Sequence, residues 1–372
     1  MKDNRYGRAT PNLKIKNLER GMEEEKIPES DLKHLSFIIP KYTPIEKIGE
    51  GSFSVVYKAL DAEAGRHVAL KVITRTSSPA RVLEELTFLK ALEGKRNCMG
   101  LLGVFRNEDQ VIAVFPYFKP IDFREFISNA GLNDIKQYLY NLLEAIDHVH
   151  GNGIIHRDLK PGNFLYNKET GRGMLIDFGL AQYEDRREEH LPKDSSKPQT
   201  PLLFFNSIVS KTKPPGYYER DSRPQMKAPR AGTRGFRAPE VLFRYPHQTR
   251  AIDMWSVGVI FLTILTAQYP FFYSSEDIDA IVEIATIFGH AEMRKAAKFY
   301  GRLWRSNIDT IPEERIPFET IIESLNPWAE VGSEGYDLLY RMLDLCSSTR
   351  ITAPDALNHP FFDGLKTHRD PA

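Results

Sequence analysis

Residues 156–163 of the chain read His-Arg-Asp-Leu-Lys-Pro-Gly-Asn, and Asp-Phe-Gly follows at 177–179. Ala-Pro-Glu comes later, at 238–240, while Gly-Glu-Gly-Ser-Phe-Ser-Val-Val at 49–56 and Val-Ala-Leu-Lys at 68–71 lie upstream. Seven specified positions in the octapeptide coincide by chance about once in a billion starting points. The order and spacing of these stretches are therefore strong information about fold and chemistry.

The apolar pattern divides the chain into a β-rich part and a larger helical part. Residues 45–72 are rich in Val, Ile, Phe and Tyr and are interrupted by glycines, which predicts hairpin-connected strands. Further strands fit 101–106 and 111–116. Helical spacing predicts a helix at 81–92, with Ser78-Pro79 as N-cap and first-turn proline, and helices at 134–150, 252–266, 278–287, 335–345 and 353–358. This order predicts an α+β fold of two lobes with a cleft between them.

These patterns also predict the domain boundaries. We expect a flexible tail over 1–36, a small lobe over 37–118, a large lobe over 119–364 and a short tail over 365–372. The stretch at about 183–230 contains seven prolines and many charged residues, which predicts an insertion that is largely loop. Its apolar strip, 201–209, either packs on the parent lobe or binds a partner.

Composition excludes several classes of function. Lys and Arg number 50, as do Asp and Glu, so net charge offers no argument for binding to nucleic acid or to an anionic membrane. Cys98 and Cys346 lie in no metal-binding pattern, which favours a reducing compartment and no structural zinc. The longest apolar stretch, 257–267, is about half of the ~20 residues that a bilayer span needs. We expect a soluble, intracellular protein.

The quoted stretches match in order and spacing the signature set of protein kinases, which the chain resembles from Tyr42 to Phe362. The resemblance implies the two-lobed protein kinase fold, with a β-rich N-lobe and a helical C-lobe. It also implies that ATP and Mg²⁺ are the cofactors. Phosphoryl transfer to a hydroxyl depends on positioning and on charge neutralisation more than on covalent chemistry.

The resemblance assigns a role to each polar residue of the cleft. Asp158 would accept the proton of the substrate hydroxyl, and Lys160 would stabilise the γ-phosphate. Asn163 and Asp177 would hold Mg²⁺ through oxygen ligands, which suit this cation. Lys160 also indicates the serine/threonine class rather than the tyrosine class.

Lys71 would bind the α- and β-phosphates and needs a carboxylate to hold it. Glu85, in the helix after Pro79, is the preferred candidate. Glu84 is the alternative, but it points about 100° away around the helix. Leu89, one turn beyond Glu85, would pack against Phe178.

The nucleotide site implied by the resemblance extends from the glycine-containing loop to the segment between the lobes. In the glycine-containing loop, Ser54 stands where the family pattern has its third glycine, while Gly49 and Gly51 still allow the backbone to approach phosphate. Pro116 has no N–H, so adenine must use other groups of this hinge. The implied ATP-binding residues are Ile48, Gly49, Glu50, Gly51, Ser52, Phe53, Ser54, Val56, Ala69, Lys71, Phe115, Pro116, Tyr117, Phe118 and Leu165, with Phe115 as gatekeeper.

Three further residues are expected to support the cleft. Thr233 would hydrogen-bond Asp158 and Lys160, or it would be a phosphorylation site. Glu240 would form a buried ion pair with Arg350. Asp253 would bind backbone of the catalytic loop, which we define as residues 156–163.

The stretches 163–167, 177–182, 228–240 and 248–255 resemble the replication-initiation kinases of the cell-division-cycle type, the catalytic subunits of the kinase called DDK, and the insertion before Glu240 agrees. This resemblance implies a regulatory activator subunit, the MCM helicase as substrate and the nucleus as location. Arg230, Arg234 and Arg237 would favour Ser or Thr followed by an acidic or phosphorylated residue. Alternatively, one or two of them bind a phosphate on the activation segment or face solvent.

Other functions remain as alternatives. The first alternative is an acid-directed kinase of the casein-kinase type that acts without a partner. A pseudokinase scaffold is disfavoured because Lys71, Asp158, Asn163 and Asp177 are all present. We expect no direct nucleic-acid binding, because the basic residues of the insertion are mixed with acidic ones and lack interleaved aromatic residues.

Overall fold

The computed structural model describes residues 35–39, 41–51, 54–73, 78–184 and 229–365. The small lobe contains an antiparallel sheet of five strands in the order β1-β2-β3-β5-β4. The strands are β1 (Tyr42–Glu50), β2 (Ser54–Asp61), β3 (Arg66–Ile73), β4 (Gly103–Asn107) and β5 (Gln110–Pro116). Helix α1 (Pro79–Leu92) lies between β3 and β4 in the chain and buries Phe88, Leu89 and Leu92.

The large lobe is mainly helical. Its helices are α2 (Phe123–Asn129), α3 (Leu132–Gly151), α4 (Pro239–Leu242), α5 (Ala251–Thr266), α6 (Asp277–Phe299), α7 (Phe318–Leu325), α8 (Ser333–Met342) and α9 (Ala353–Leu357). Short strands β6 (Ile154–Ile155) and β9 (Gln182–Tyr183) pair with each other, as do β7 (Phe164–Asn167) and β8 (Arg172–Leu175). Every residue of α5 is buried, so it forms the centre of this lobe.

The sequence located the main helices but not all of their ends. Helix α6 extends to Phe299, well past the predicted end at 287, because the chain kinks at Gly289 and continues. Gly289 has φ 72°, and a Cβ there would lie 2.6 Å from the carbonyl of Glu314. Helix α8 ends at Met342 rather than at 345. The short elements α2, α4, α7, β7 and β8 were not predicted, since none is long enough to show a clear period.

Two local expectations need correction. Ser78 is the N-cap residue of α1 and Pro79 lies in its first turn, as predicted, but the side chain of Ser78 makes no capping hydrogen bond. Leu35, which falls inside the predicted tail of 1–36, is fully buried with Ile38 and Tyr42 against the sheet. The apolar strip at 201–209 lies outside the described residues. In the part of the chain that is described, no helix has the length and apolar character to cross a membrane.

Candidate active site

The catalytic loop is held from beneath by Asp253 of α5, which is fully buried. Its Oδ2 accepts from the backbone N–H of His156 at 2.8 Å, and its Oδ1 accepts from that of Arg157 at 2.8 Å. His150 Nε2 lies 3.0 Å from Oδ2. Burial by itself would raise the pKa of Asp253, but the hydrogen bond with His150 and the neighbouring histidines lower it overall. Asp253 therefore stays ionised and fixes the start of the loop, as the sequence predicted.

Four donors surround the carboxylate of Asp158. Thr233 donates to Oδ1 from both its backbone N–H and its hydroxyl, each at 2.7 Å. Lys160 Nζ lies 2.8 Å from Oδ2, and Asn163 Nδ2 lies 3.1 Å from the same oxygen. Burial opposes ionisation, but the bonds from Lys160 and Thr233 lower the pKa of Asp158. The carboxylate is therefore ionised near neutral pH.

Thr233 also bonds Lys160, whose Nζ lies 3.1 Å from the threonine Oγ1. The hydrogen bonds that the sequence predicted from Thr233 to Asp158 and Lys160 are thus both present. It begins a single 3₁₀ turn at Arg234–Phe236 and precedes α4. Gly232, just before it, approaches the catalytic loop so closely that a Cβ would lie 2.4 Å from the carbonyl oxygen of Arg157.

Lys71 of β3 sits between two carboxylates. Its Nζ lies 2.6 Å from Glu85 Oε1 and 3.2 Å from Asp177 Oδ1. Glu84 is exposed, so the helix turns Glu85 rather than its neighbour into the cleft. Burial would lower the pKa of Lys71, but the charges of Asp177 and Glu85 raise it overall. Lys71 is protonated and ready to bind an anion.

Asp177 is the second candidate metal ligand. It has φ 63°, a left-handed backbone that turns its side chain into the cleft, and that side chain is 46% exposed. Burial by itself would raise the pKa of Asp177, but the charge and the hydrogen bond of Lys71 lower it overall. Next to it, Phe178 is buried against His156, with ring centroids 5.0 Å apart. Phe178 and Leu89 share one core cluster.

The residues present fit a magnesium ion that is bound mostly by phosphate and water. Asp177 and Asn163 offer oxygen atoms, which this cation prefers, and Mg²⁺ usually takes only one or two carboxylates from the protein. Among the described residues, no group of three or more His, Cys, Asp or Glu residues gathers in a way that would make a protein cage. The donor set therefore suits a nucleotide-bound ion.

The glycine-containing loop is described on both sides of its tip. Gly49 and Glu50 pair with Val56 and Val55 across β1 and β2, and Gly51 N donates to Ser54 O at 2.8 Å. A Cβ at Gly49 or Gly51 would meet only ordinary contacts of 3.7 and 3.8 Å. The protein's own packing thus does not require glycine at either position. Ser52 and Phe53 lie outside the described residues.

The remaining predicted nucleotide residues lie where the two lobes meet. Ile48 is 43% exposed, and the other three apolar residues predicted around adenine are partly exposed: Val56, Ala69 and Leu165. Phe115 is buried at the end of β5. Pro116, Tyr117 and Phe118 follow it and are partly exposed. Tyr117 N donates to His67 O at 3.4 Å.

The three arginines before α4 are not equivalent. Arg237 donates through Nε to Gly232 O at 2.8 Å and forms an ion pair through Nη1 with Asp277 of α6. Arg230 Nη1 lies 3.4 Å from the other oxygen of Asp277. Arg234 is exposed and has no ion-pair partner among the described residues. The sequence did not reveal Asp277, which is 40 residues from Arg237 and belongs to no motif.

The expected pair of Glu240 and Arg350 is present and fully buried. Arg350 Nη1 lies 2.7 Å from Glu240 Oε1, and Nη2 donates to Oε2 at 3.0 Å. Arg350 also donates to Ala251 O at 2.7 Å, which ties the start of α5 to this pair. The ion pair thereby fixes the position of α4 below the segment that carries Thr233.

The family description that matches the sequence is protein kinase domain, over residues 42–362. The chain therefore belongs to the protein kinase family. It is 83% identical over 349 residues to a probable cell division control protein 7 homolog 2 of Encephalitozoon cuniculi, with 94% of this chain and 99% of that protein covered. The cell cycle serine/threonine-protein kinase hsk1 of Schizosaccharomyces pombe is 39% identical over 86% of this chain and 72% of its own.

A more distant relative is the cell division cycle 7-related protein kinase of Homo sapiens, 27% identical over 91% of this chain and 93% of its own length. These matches place the chain among the cell division cycle 7 kinases and confirm the predicted α+β kinase fold and the serine/threonine class. As a protein kinase, the chain acts on protein substrates and uses ATP with Mg²⁺.

Proposed function

We propose that this kinase is the catalytic subunit of the enzyme that fires replication origins, and that it phosphorylates the MCM helicase in the nucleus. The names of its relatives support a role in the cell division cycle. The proposal includes a regulatory activator subunit. The observation that carries the catalytic part is the set of four donors around Asp158 in a cleft that also contains Lys71 and Asp177.

Asp158 acts as the base. A carboxylate has about four lone-pair sites, and all four are taken by Thr233, Lys160 and Asn163. The two bonds from Thr233 keep the carboxylate oriented through Oδ1, and a turn of Lys160 from Oδ2 toward the γ-phosphate would free a lone pair of Oδ2. Asn163 would hold Mg²⁺ through its amide oxygen and can keep its Nδ2 bond to Asp158. Oδ2 of Asp158 then accepts the proton of the substrate hydroxyl. The hydroxyl oxygen bonds to the γ-phosphorus while the bond between the γ-phosphorus and the oxygen that leaves with ADP breaks.

Lys71 and the two oxygen-bearing side chains hold the triphosphate. Lys71 binds the α- and β-phosphates and is kept in place by Glu85 at 2.6 Å. Asp177 and Asn163 hold Mg²⁺, which supplies charge neutralisation on the phosphates. Gly49 and Gly51 present backbone to the phosphates without a side chain in the way.

Adenine binds between Ile48, Val56, Ala69 and Leu165, with Phe115 behind it. The hinge offers few donors, because Pro116 has no N–H and the N–H of Tyr117 is directed to His67 O. The N–H of Phe118 is the hinge donor that remains.

The substrate is a Ser or Thr followed by an acidic or phosphorylated residue. Arg234 is the cation available to that residue, and Arg230, half exposed and held at 3.4 Å by Asp277, is the second. Arg237 is committed to Gly232 and Asp277 and serves to shape the segment. A peptide array on the full chain should show faster phosphorylation with Glu or phosphoserine after the target than with Lys. Equal rates would contradict acid-directed specificity.

Asp158→Asn tests the catalytic assignment. We expect kcat to fall by about 10²–10⁴-fold, the usual contribution of a general base, with nucleotide affinity nearly unchanged and the fold intact by circular dichroism. Asp147→Asn is the matched control, since Asp147 pairs with Arg96 away from the cleft and its loss should leave kcat unaltered. Normal turnover by Asp158→Asn would show that another group is the base and would reopen the scaffold interpretation.

A further inference from the structure

We propose that Gln248 is a positioning residue that fastens the segment carrying Thr233 to the catalytic loop through Arg157, so that this segment is held without a phosphate on the chain. The inference rests on the proposed role of Thr233 in orienting Asp158. Gln248 lies in the loop 244–250, which we call the clamp loop, between α4 and α5.

Arg157 is the first half of the argument. It is 5% exposed, and its Nη2 donates to Gln248 Oε1 at 2.7 Å. Its Nε and Nη1 are buried and have no hydrogen-bond partner among the described residues. Burial lowers the pKa of Arg157, and Asp253 only partly offsets this. The partner of its guanidinium among the described residues is thus the neutral amide of Gln248. A buried arginine more commonly pairs with a carboxylate or a phosphate.

Gln248 is the second half. It is 7% exposed, and its Nε2 donates to Pro229 O at 2.8 Å and to Tyr245 O at 3.1 Å. One side chain thus joins the catalytic loop, the clamp loop and the backbone four residues before Thr233. A buried amide with both its oxygen and its nitrogen bonded is costly to disturb, because any loss leaves polar groups unpaired.

The segment 229–233 is also constrained on its other side. Gly232 packs on the backbone of Arg157 with φ 102°, in a space that excludes a Cβ. Arg157 therefore meets this segment twice, by its carbonyl at Gly232 and, through Gln248, near Pro229. Both contacts set the place from which Thr233 donates to Asp158 at 2.7 Å.

The clamp loop also binds Glu184, near the beginning of the stretch that joins Asp177 to Glu240. Arg250 donates to Glu184 from its backbone N–H at 3.0 Å and from Nη2 at 2.6 Å. The side chain of Glu184 is 11% exposed, and its backbone N–H bonds Gly153 O at 2.8 Å. Residues 248 and 250 of one short loop thus bind residues 229 and 184.

This arrangement leaves a phosphate little to contribute. Where phosphorylation orders the activation loop of a kinase, the phosphate pairs with arginine. Here Nη2 of Arg157 is already bonded to Gln248, and Nε and Nη1 are covered. A phosphate that paired with Nη2 of Arg157 would first have to displace the amide of Gln248.

The test compares Gln248→Met, which keeps length but removes both polar groups, with Gln137→Met on the far side of the large lobe, where Gln137 bonds Gly171 O. Both are made in the full chain, with any proteins that co-purify retained, and treated with phosphatase until intact mass shows no phosphate. We expect Gln248→Met to raise deuterium exchange at 229–236 but not in α5, and to lower kcat/KM for peptide about tenfold with KM for ATP unchanged. Gln137→Met should change none of these.

Two results would overturn the inference. One is exchange and kinetics for Gln248→Met that match those of Gln137→Met. The other concerns the wild-type chain after phosphatase treatment. A lag before steady-state turnover, or a kcat/KM for peptide tenfold lower than before the treatment, would show that a phosphate is required. Deuterium exchange is measured without turnover. The exchange result therefore tests the role of Gln248 even if the roles assigned to the residues around Asp158 are wrong.

Discussion

Asp277 is the residue that most changes the view of substrate recognition. It binds two of the three arginines that the sequence offered to an acidic substrate, through both of its oxygens. A substrate carboxylate that uses Arg230 has to compete with Asp277. The apparent cluster of three free cations is thus one exposed arginine, Arg234, and two that are partly neutralised.

Asp277→Asn should therefore strengthen acid-directed selection. We expect KM for a peptide with phosphoserine after the target to fall about fivefold relative to KM for the same peptide with alanine there, equivalent to about 1 kcal/mol for one charge-assisted contact. The ratio isolates the acidic residue, because loss of the Arg237–Asp277 pair acts on both peptides alike. The measurement is peptide KM for the two sequences. Asp309→Asn, an exposed position in the same lobe, is the control. Unchanged discrimination would mean that Arg230 does not contact substrate.

At the scale of single elements, α1 matters because it carries Glu85. We expect Glu85→Gln to lower kcat/KM for ATP by about tenfold, since a neutral amide cannot hold Lys71 as the carboxylate does, and tenfold corresponds to about 1.4 kcal/mol. Glu84→Gln is the matched control, one residue away and exposed. Steady-state kinetics with the ATP concentration varied at a fixed peptide concentration distinguish Glu85→Gln from Glu84→Gln. Equal losses in both variants would indicate a general effect on α1.

Helix α5 contributes to stability through Asp253, which binds the catalytic loop. Its pKa in the folded chain is lower than the usual 3.8, so the unfolded chain binds more protons in this range. The stabilisation is therefore complete above about pH 4 and is lost as pH falls through the folded-state pKa. Asp253→Asn should lower the free energy of unfolding at pH 7 by about 3 kcal/mol.

Denaturant unfolding at pH 7 and at pH 3 measures this effect. The wild-type chain should lose more stability between the two values than Asp253→Asn does. A variant with the same pH dependence as the wild type would assign the acid sensitivity to other carboxylates. Asp147→Asn again provides the control, as a surface pair is expected to contribute less than about 1 kcal/mol.

The elements also show what sequence can and cannot predict. Helix α3 was found because its apolar residues repeat at helical spacing over five turns. The octapeptide and Asp177 were found because local motifs fix them. Gln248 and Asp277 were not found, because their partners are 91 residues away at Arg157 and 40 residues away at Arg237, and no local pattern records such pairs.

At the scale of the whole molecule, the ion pair of Lys71 and Glu85 bears on how an activator would act. If a partner were needed to close this pair, the chain alone would be nearly inert. Yet the pair is formed at 2.6 Å within the single chain, and Asp177 adds a second contact at 3.2 Å. In this structure, the contact that positions Lys71 is thus made by the chain's own residues.

We therefore expect the partner to act on the peptide side of the cleft. With the full chain purified alone and again with the proteins that co-purify with it, KM for ATP should agree within about twofold. The value of kcat/KM for peptide should rise at least tenfold in the presence of the partner. Ordinary peptide rates from the chain alone would instead favour the partner-independent, casein-kinase type of enzyme. A tenfold fall in KM for ATP upon adding the partner would show that the Lys71–Glu85 contact is the step that the partner completes.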